Sequence, residues 1–188
     1  MNIVVFLGSN EGKKPLYRER VRKLGSWIAR EGHILVYGGS RSGLMGQLAQ
    51  AAQAEKGKVI GVEPEFFIRQ GVVQMDLSEL IVTETMAERK QKMIELGEAF
   101  LAFPGGIGTL EEITEVMTLT FLGKLSRPII FYNVDGFYDR LKEELDYMVK
   151  EGFLLKENLE RVHFVRELEE IQEIFRNQGK SMLPVFRS

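Results

Sequence analysis

The sequence predicts an α/β fold, a three-layer sandwich in which a mainly parallel sheet carries helices on both faces. Three observations predict it. Short apolar runs alternate with amphipathic stretches of helical period along most of the 188 residues. The runs 3–7, 34–37 and 129–132 are almost continuously apolar, as strands buried on both faces are. Three of the expected strands end in glycine, at Gly8, Gly38-Gly39 and Gly105-Gly106. This puts small-residue turns at the carboxyl edge of the sheet, where open α/β sheets bind ligands.

The elements follow in order. After the strand 3–7, a helix over 14–30 places Tyr17, Val21, Leu24 and Ile28 on one face and closes at Gly32. The strand 34–37 leads into Gly38-Gly39-Ser40-Arg41-Ser42-Gly43, then a helix over 44–56 and a strand over 58–62. Residues 63–79 lack regular patterning and read as a loop with a short helix or strand insertion. A strand over 80–83, a helix over 85–96 and a strand over 99–103 come next. The helix expected over 109–122 lines up Leu110, Ile113, Met117 and Phe121. A strand over 128–132, a helix over 136–150, a weak strand over 162–165 and a helix over 167–176 complete the reading. The whole, residues 1–188, is expected to be one domain.

Composition narrows the chemistry. With 44% hydrophobic and 28% charged residues the chain reads as an ordinary soluble globular protein. Twenty-five Lys+Arg against 27 Asp+Glu give a net charge of -2, which argues against nucleic acid or an anionic membrane as partner. There is no cysteine, so disulfides, thiolate nucleophiles and cysteine metal sites are excluded. Any histidine chemistry must run through His33, expected exposed in a turn, or His163, expected structural. No apolar stretch reaches the roughly 18 residues of a membrane span. The first residues carry no basic region and read as a strand rather than a signal peptide, so a cytoplasmic location is expected.

Gly105-Gly106-Ile107-Gly108-Thr109 lies between a strand and a helix start. Backbone N–H groups there close on an anion and the helix dipole favours negative charge, so phosphate is the expected ligand. A plain tight turn gives the same pattern, but two further glycine turns at the same edge favour a nucleotide. Neither the Walker loop nor the dinucleotide fingerprint G-x-G-x-x-G is present. Thr109-Leu110-Glu111-Glu112 has the form of a capping box, with Thr109 as N-cap, and so does Thr85-Met86-Ala87-Glu88. Against that structural reading, Glu112 stands at the ligand edge, where its carboxylate can act on a sugar carbon or a water. Arg89-Lys90 is either a solvated basic pair or a grip on phosphate or ribose. Arg41 is a second phosphate candidate, and Met45 and Met86 are candidates for contact with a flat base.

These residues resemble the Lonely Guy family, the cytokinin riboside 5'-monophosphate phosphoribohydrolases, whose members are often labelled lysine decarboxylases. The resemblance rests on Pro104-Gly105-Gly106-Ile107-Gly108-Thr109-Leu110-Glu111-Glu112, matching P-G-G-x-G-T-x-x-E, and on Met86-Ala87-Glu88-Arg89-Lys90, matching M-x-x-R-K. Gly8-Ser9, Val36-Tyr37-Gly38-Gly39, Gly43-Leu44-Met45-Gly46 and Asn133-Val134-Asp135-Gly136-Phe137-Tyr138 extend it to about residue 153. Many plant members carry tyrosine where this chain has Ile107 and glycine where it has Ser40.

The resemblance implies a Rossmann-like fold, a homodimer, and hydrolysis of the N-glycosidic bond of a nucleoside 5'-monophosphate to free base and ribose 5-phosphate. AMP and N6-prenyl-AMP are the expected substrates. It assigns catalysis to Arg89 and Glu112. It assigns substrate contact to Gly105, Gly106, Gly108 and Thr109, with Ile107, Glu111 and Thr118 beside them. Gly8, Ser9, Gly39, Arg41, Met45, Met86 and Lys90 complete the expected binding set. The expected mechanism calls for no metal and no cofactor, and nothing in the sequence singles out a Schiff-base lysine for pyridoxal phosphate. A non-catalytic nucleotide sensor or carrier is the alternative from another class.

Overall fold

The structure, a computed structural model, describes residues 1–181; residues 182–188 of the expected domain lie outside the described part. Seven strands form one sheet: β1 (Asn2–Phe6), β2 (Ile34–Tyr37), β3 (Val59–Pro64), β4 (Glu79–Thr83), β5 (Ala99–Ala102), β6 (Ile129–Tyr132) and β7 (Val162–Val165). Their order is β4-β3-β2-β1-β5-β6-β7, and every neighbouring pair is parallel. The chain starts in the middle of the sheet and steps outward to β4. It then returns to the other side of β1 and steps outward again. The order therefore reverses between β1 and β5, which opens a crevice at their carboxyl ends.

Alternation along β1 shows how two cores arise from one strand. Ile3, Val5 and Leu7 join the core beneath α1 (Pro15–Arg30), α2 (Gly43–Ala54) and α8 (Leu168–Ser181). Val4 and Phe6 join the opposite core beneath α4 (Met86–Leu96), α5 (Ile107–Phe121) and α6 (Asp139–Lys150). All five of these side chains are at most 3% exposed, so β1 is covered on both faces, as its apolar run requires. In α1, Val21, Leu24 and Ile28 are buried and Pro15 opens the helix, where its missing N–H costs nothing.

Several boundaries differ from the sequence reading. Helix α5 begins at Ile107, not 109, because Gly106 takes the N-cap position. The stretch 136–150 divides into a 3-10 turn at Val134–Gly136, where Asp135 has positive φ, and α6. A four-residue helix, α7 (Lys156–Leu159), had no sequence signal strong enough to anticipate it. His33 is half-buried rather than exposed, its ring 5.6 Å from that of Trp27 and 6.2 Å from that of Phe175. Burial holds its pKa below the ordinary value.

The irregular segment 63–79 contains both insertions that the sequence left open. A short helix, α3 (Glu65–Arg69), follows β3 directly, and Val73 then makes an antiparallel bridge to Ser40. Arg41 N–H donates to Val72 O at 2.9 Å and Gln74 N–H donates to Gly39 O at 2.9 Å. These bonds fold the segment back over the glycine turn after β2 and give the crevice a second wall.

Candidate active site

Helix α4 brings Arg89 to the crevice because its first turn is fixed at both ends of a cap. Thr85 Oγ1 accepts from Glu88 N at 3.1 Å, and Glu88 Oε2 accepts from Glu84 N at 2.9 Å. Arg89 sits one residue further, on the inner face, and is only 6% exposed. Its Nε donates to Val62 O at 3.0 Å and its Nη1 donates to Glu112 Oε1 at 2.7 Å. The guanidinium thus ties the end of β3 to the start of α5. The solvated-pair reading of Arg89 does not describe this site, since a surface arginine would not be desolvated and bonded on two sides.

The capping-box reading of Glu112 fails for a related reason. With α5 starting at Ile107, Thr109 is already inside the helix and caps nothing. Glu112 is 8% exposed and points across to Arg89. Burial pushes its carboxyl above the ordinary value, and the Arg89 charge opposes that push. The first turn of α5 has no side-chain cap and no acidic residue. Its leading N–H groups accordingly meet no side-chain acceptor among the described residues, the arrangement that receives an anion.

Glu63, at the end of β3, is a residue that sequence reasoning missed. It is 3% exposed, and its Oε2 has no hydrogen-bond partner among the described residues, although Arg89 Nε lies 3.8 Å away. Burial pushes its carboxyl up to about 7, against the pull of Arg89 and with the help of Glu112. The glycine turn after β2 leaves room for these groups. A Cβ at Gly38 would meet Arg89 Nη2 at 2.1 Å, and one at Gly39, where φ is +80°, would meet Glu63 Cγ at 2.4 Å. A signal for Glu63 was present in the sequence, a lone charge closing the apolar run Val59-Ile60-Gly61-Val62 at the ligand edge.

A cavity of about 580 Å³ opens here, a size suited to a small-molecule ligand. Its lining combines three chemistries. Backbone and small side chains come from Gly8, Ser9, Gly106, Gly108 and Thr109; charge comes from Arg89, Glu63, Glu111 and Glu112; and apolar surface comes from Met45, Phe67, Val72, Met86 and Ile107. Gly105 lines a smaller adjoining cavity of about 290 Å³ that shares Gly8, Ser9 and Gly106. A Cβ on Gly105 would stand 2.1 Å from Thr109 Oγ1 and 2.8 Å from Gly8 N, so only glycine allows the β1 and β5 turns to approach this closely.

Not every expected site residue reaches the cavity. Gly39 backs Glu63 from outside it. Arg41 is exposed, and Ser40 and Ser42 on either side of it form the wall instead. Lys90 is held by Glu111 at 2.6 Å and Glu115 at 3.0 Å, pairings that raise its pKa. Thr118 is exposed along α5 and donates to Thr114 O at 2.8 Å. Phe67, Gln70 and Val72 were missed with Glu63, because the segment that carries them had no regular pattern to place it over the crevice.

The fold and site together define a Rossmann-like α/β protein with a small-molecule cavity at the switch point of its sheet, closed at one end by a buried arginine–carboxylate cluster. Residues 45–175 match the family model described as "Possible lysine decarboxylase". The cytokinin riboside 5'-monophosphate phosphoribohydrolase of Rhodococcoides fascians is 39% identical over 169 residues, 89% of this chain and 85% of that protein. The protein of the same name designated LOG7 in Arabidopsis thaliana is 40% identical over 152 residues, 81% of this chain and 70% of that protein. The chain belongs to the Lonely Guy family. Its fold is also that of the molybdenum cofactor binding protein of Rippkaea orientalis, with a TM-score of 0.72 at 24% identity over 94% of this chain and 95% of that one. The molybdenum cofactor carrier protein of Chlamydomonas reinhardtii gives 0.68 at 19% identity, over 94% and 96%. At such identities the likeness concerns the fold alone.

Proposed function

We propose that this chain is a phosphoribohydrolase that cleaves the N-glycosidic bond of AMP or N6-prenyl-AMP, releasing free base and ribose 5-phosphate. The observation that carries the proposal is the Arg89–Glu112 pair, buried in the wall of a cavity whose rim is the uncapped start of α5. The two relatives described above are named as cytokinin riboside 5'-monophosphate phosphoribohydrolases, which supports the reaction class.

The 5'-phosphate docks on the N–H groups at the start of α5, beside the Gly105-Gly106 turn. That remote binding energy holds the ribose for reaction. As the bond from C1' to the base lengthens, positive charge develops on the ribose, as in other glycoside cleavages. Glu112 stabilises this charge and takes the proton of the attacking water. Arg89 holds the Glu112 carboxylate in place. Met45, Met86, Phe67 and Val72 offer apolar surface to the base. The proposal places the enzyme in the cytoplasm as a homodimer. Phe153 and Leu155, 88% and 66% exposed between α6 and α7, are apolar side chains that a second copy could cover.

The test is an end-point assay by chromatography, without added metal, on AMP, N6-isopentenyl-AMP and the two nucleosides that lack phosphate. Base release from the monophosphates alone supports the proposal, and the rate ratio names the preferred base. Tight AMP binding without any release would favour a nucleotide carrier. Sedimentation velocity reads the oligomeric state.

A further inference from the structure

We propose that Glu63 is a third catalytic residue, the acid that protonates the base as it leaves. The inference rests on the phosphoribohydrolase reading and supplies the one proton that the Arg89–Glu112 pair cannot. Adenine is a poor leaving group as an anion, so its departure needs a proton delivered to a ring nitrogen. Glu112 is bonded to Arg89 at 2.7 Å, a contact that favours its charged form against the upward push of burial, and it suits the water side of the reaction. Lys90 is committed to Glu111 and Glu115. Neither histidine lines the cavity.

Glu63 has what the role needs. It lines the same cavity as Arg89 and Glu112, and its buried Oε2 lacks a hydrogen-bond partner among the described residues. The groups facing it are Arg89 from α4, Glu112 from α5 and the buried Tyr37 from β2. Tyr37 is held protonated by burial and stays neutral across the working range. Against Glu112 and burial, the single charge of Arg89 does not neutralise two carboxylates. One of them therefore carries a proton near neutral pH, and the one without a hydrogen bond to the guanidinium is Glu63. Two carboxyl groups in one site, one bonded to the guanidinium and the other without a hydrogen-bond partner among the described residues, can divide the roles of base and acid.

The step balances. The bond from C1' to the base nitrogen breaks with its electron pair going to the base, and the Glu63 proton moves onto a base nitrogen. Water oxygen bonds to C1', and the proton it sheds goes to Glu112. The net change is one water consumed, with Glu63 ionised and Glu112 protonated. A proton shift between the two carboxyls, directly or through solvent, resets the site.

The experiment compares the wild type with Glu63→Gln on two substrates, AMP and 4-nitrophenyl β-D-ribofuranoside 5-phosphate, whose nitrophenolate departs without a proton. The expected result is a fall in kcat on AMP by about 10²-fold or more, with the nitrophenyl rate within about threefold of wild type. Equal losses on both substrates, or no loss on AMP, overturn the role of Glu63 and leave the phosphoribohydrolase reading standing. A wild type that releases nothing from either substrate overturns both. The wild-type pH profile is a second reading that needs no variant. With AMP, kcat should fall above pH of about 7, and with the nitrophenyl substrate that limb should be absent. Superimposable profiles overturn the proposal.

Discussion

Arg89 and Glu112, 23 residues apart in sequence, meet at 2.7 Å with side chains only 7% and 9% exposed. Such burial is costly for both charges unless each is paired and hydrogen-bonded. The pair therefore serves as a structural joint between α4 and α5, and mutation separates that role from the reactive one proposed for it.

Glu112→Gln keeps an oxygen to accept from Arg89 and removes the charge and the base. Turnover of AMP should fall by about 10²- to 10⁴-fold while folding is retained. Base release by chromatography, together with a melting curve within a few degrees of wild type, checks this. Normal turnover by the purified variant would remove Glu112 from the mechanism.

Arg89→Ala removes the joint and leaves Glu63 and Glu112 buried without a counter-charge. At pH 8 the cost should be about 3–5 kcal/mol in urea denaturation, the range for breaking a buried ion pair. The cost should shrink at pH 5, where the orphaned carboxyls can take up protons. A loss that is the same at both pH values would mean that packing alone is at stake.

Glu63 predicts a pH dependence of stability in the wild type. Its carboxyl is held at about 7 in the fold against an ordinary value of 4.5. Between those values the folded protein keeps a proton that the unfolded chain has lost. Its contribution is therefore full below pH of about 4.5 and is lost as pH rises through 7. Glu63→Gln, which cannot ionise, should be more stable than wild type at pH 8 by about 3 kcal/mol, with the gap narrowing towards pH 4.5. Denaturant curves at both pH values measure it, independently of any substrate.

Gly105→Ala places a methyl group 2.1 Å from Thr109 Oγ1 and 2.8 Å from Gly8 N. Backbone cannot yield that far without moving the start of α5 away from β1. Ribose 5-phosphate binding, read by calorimetry, should weaken by at least about tenfold, with the cost in stability about 1–3 kcal/mol as for other overpacked sites. Unchanged affinity would show that the anion docks elsewhere.

Most of the fold was legible because it is written in local periodicity. The β1, β2 and β6 runs read as doubly buried strands, and the glycines after β1, β2 and β5 mark the ligand edge. Arg89 and Glu112 were legible through their motifs, but their burial was not, since Arg89-Lys90 alone looks like any solvated basic pair. The start of α5 was misplaced because Thr109 and Glu112 mimic a capping box, whereas Gly106 caps the helix through backbone conformation, which leaves no side-chain signature. The wall formed by Phe67 and Val72 depends on Val73 bridging back to Ser40. A contact between segments so far apart has no expression in local pattern, and single-sequence reasoning stops there.

The hydrogen bond from Gly8 N to Pro104 O, 3.3 Å long, has a consequence for synthesis. Strand β1 is synthesised before β5 and α5, yet the working edge of the sheet is completed only by those two. Until residue 112 has emerged, a nascent chain that already carries Glu63 and Arg89 lacks Glu112 opposite them. Its first four strands meanwhile leave one flank of β1 unpaired, an open edge that invites association with other chains. Translation pauses before that point should thus bear on aggregation, and the site is complete only once both β5 and α5 have joined the sheet.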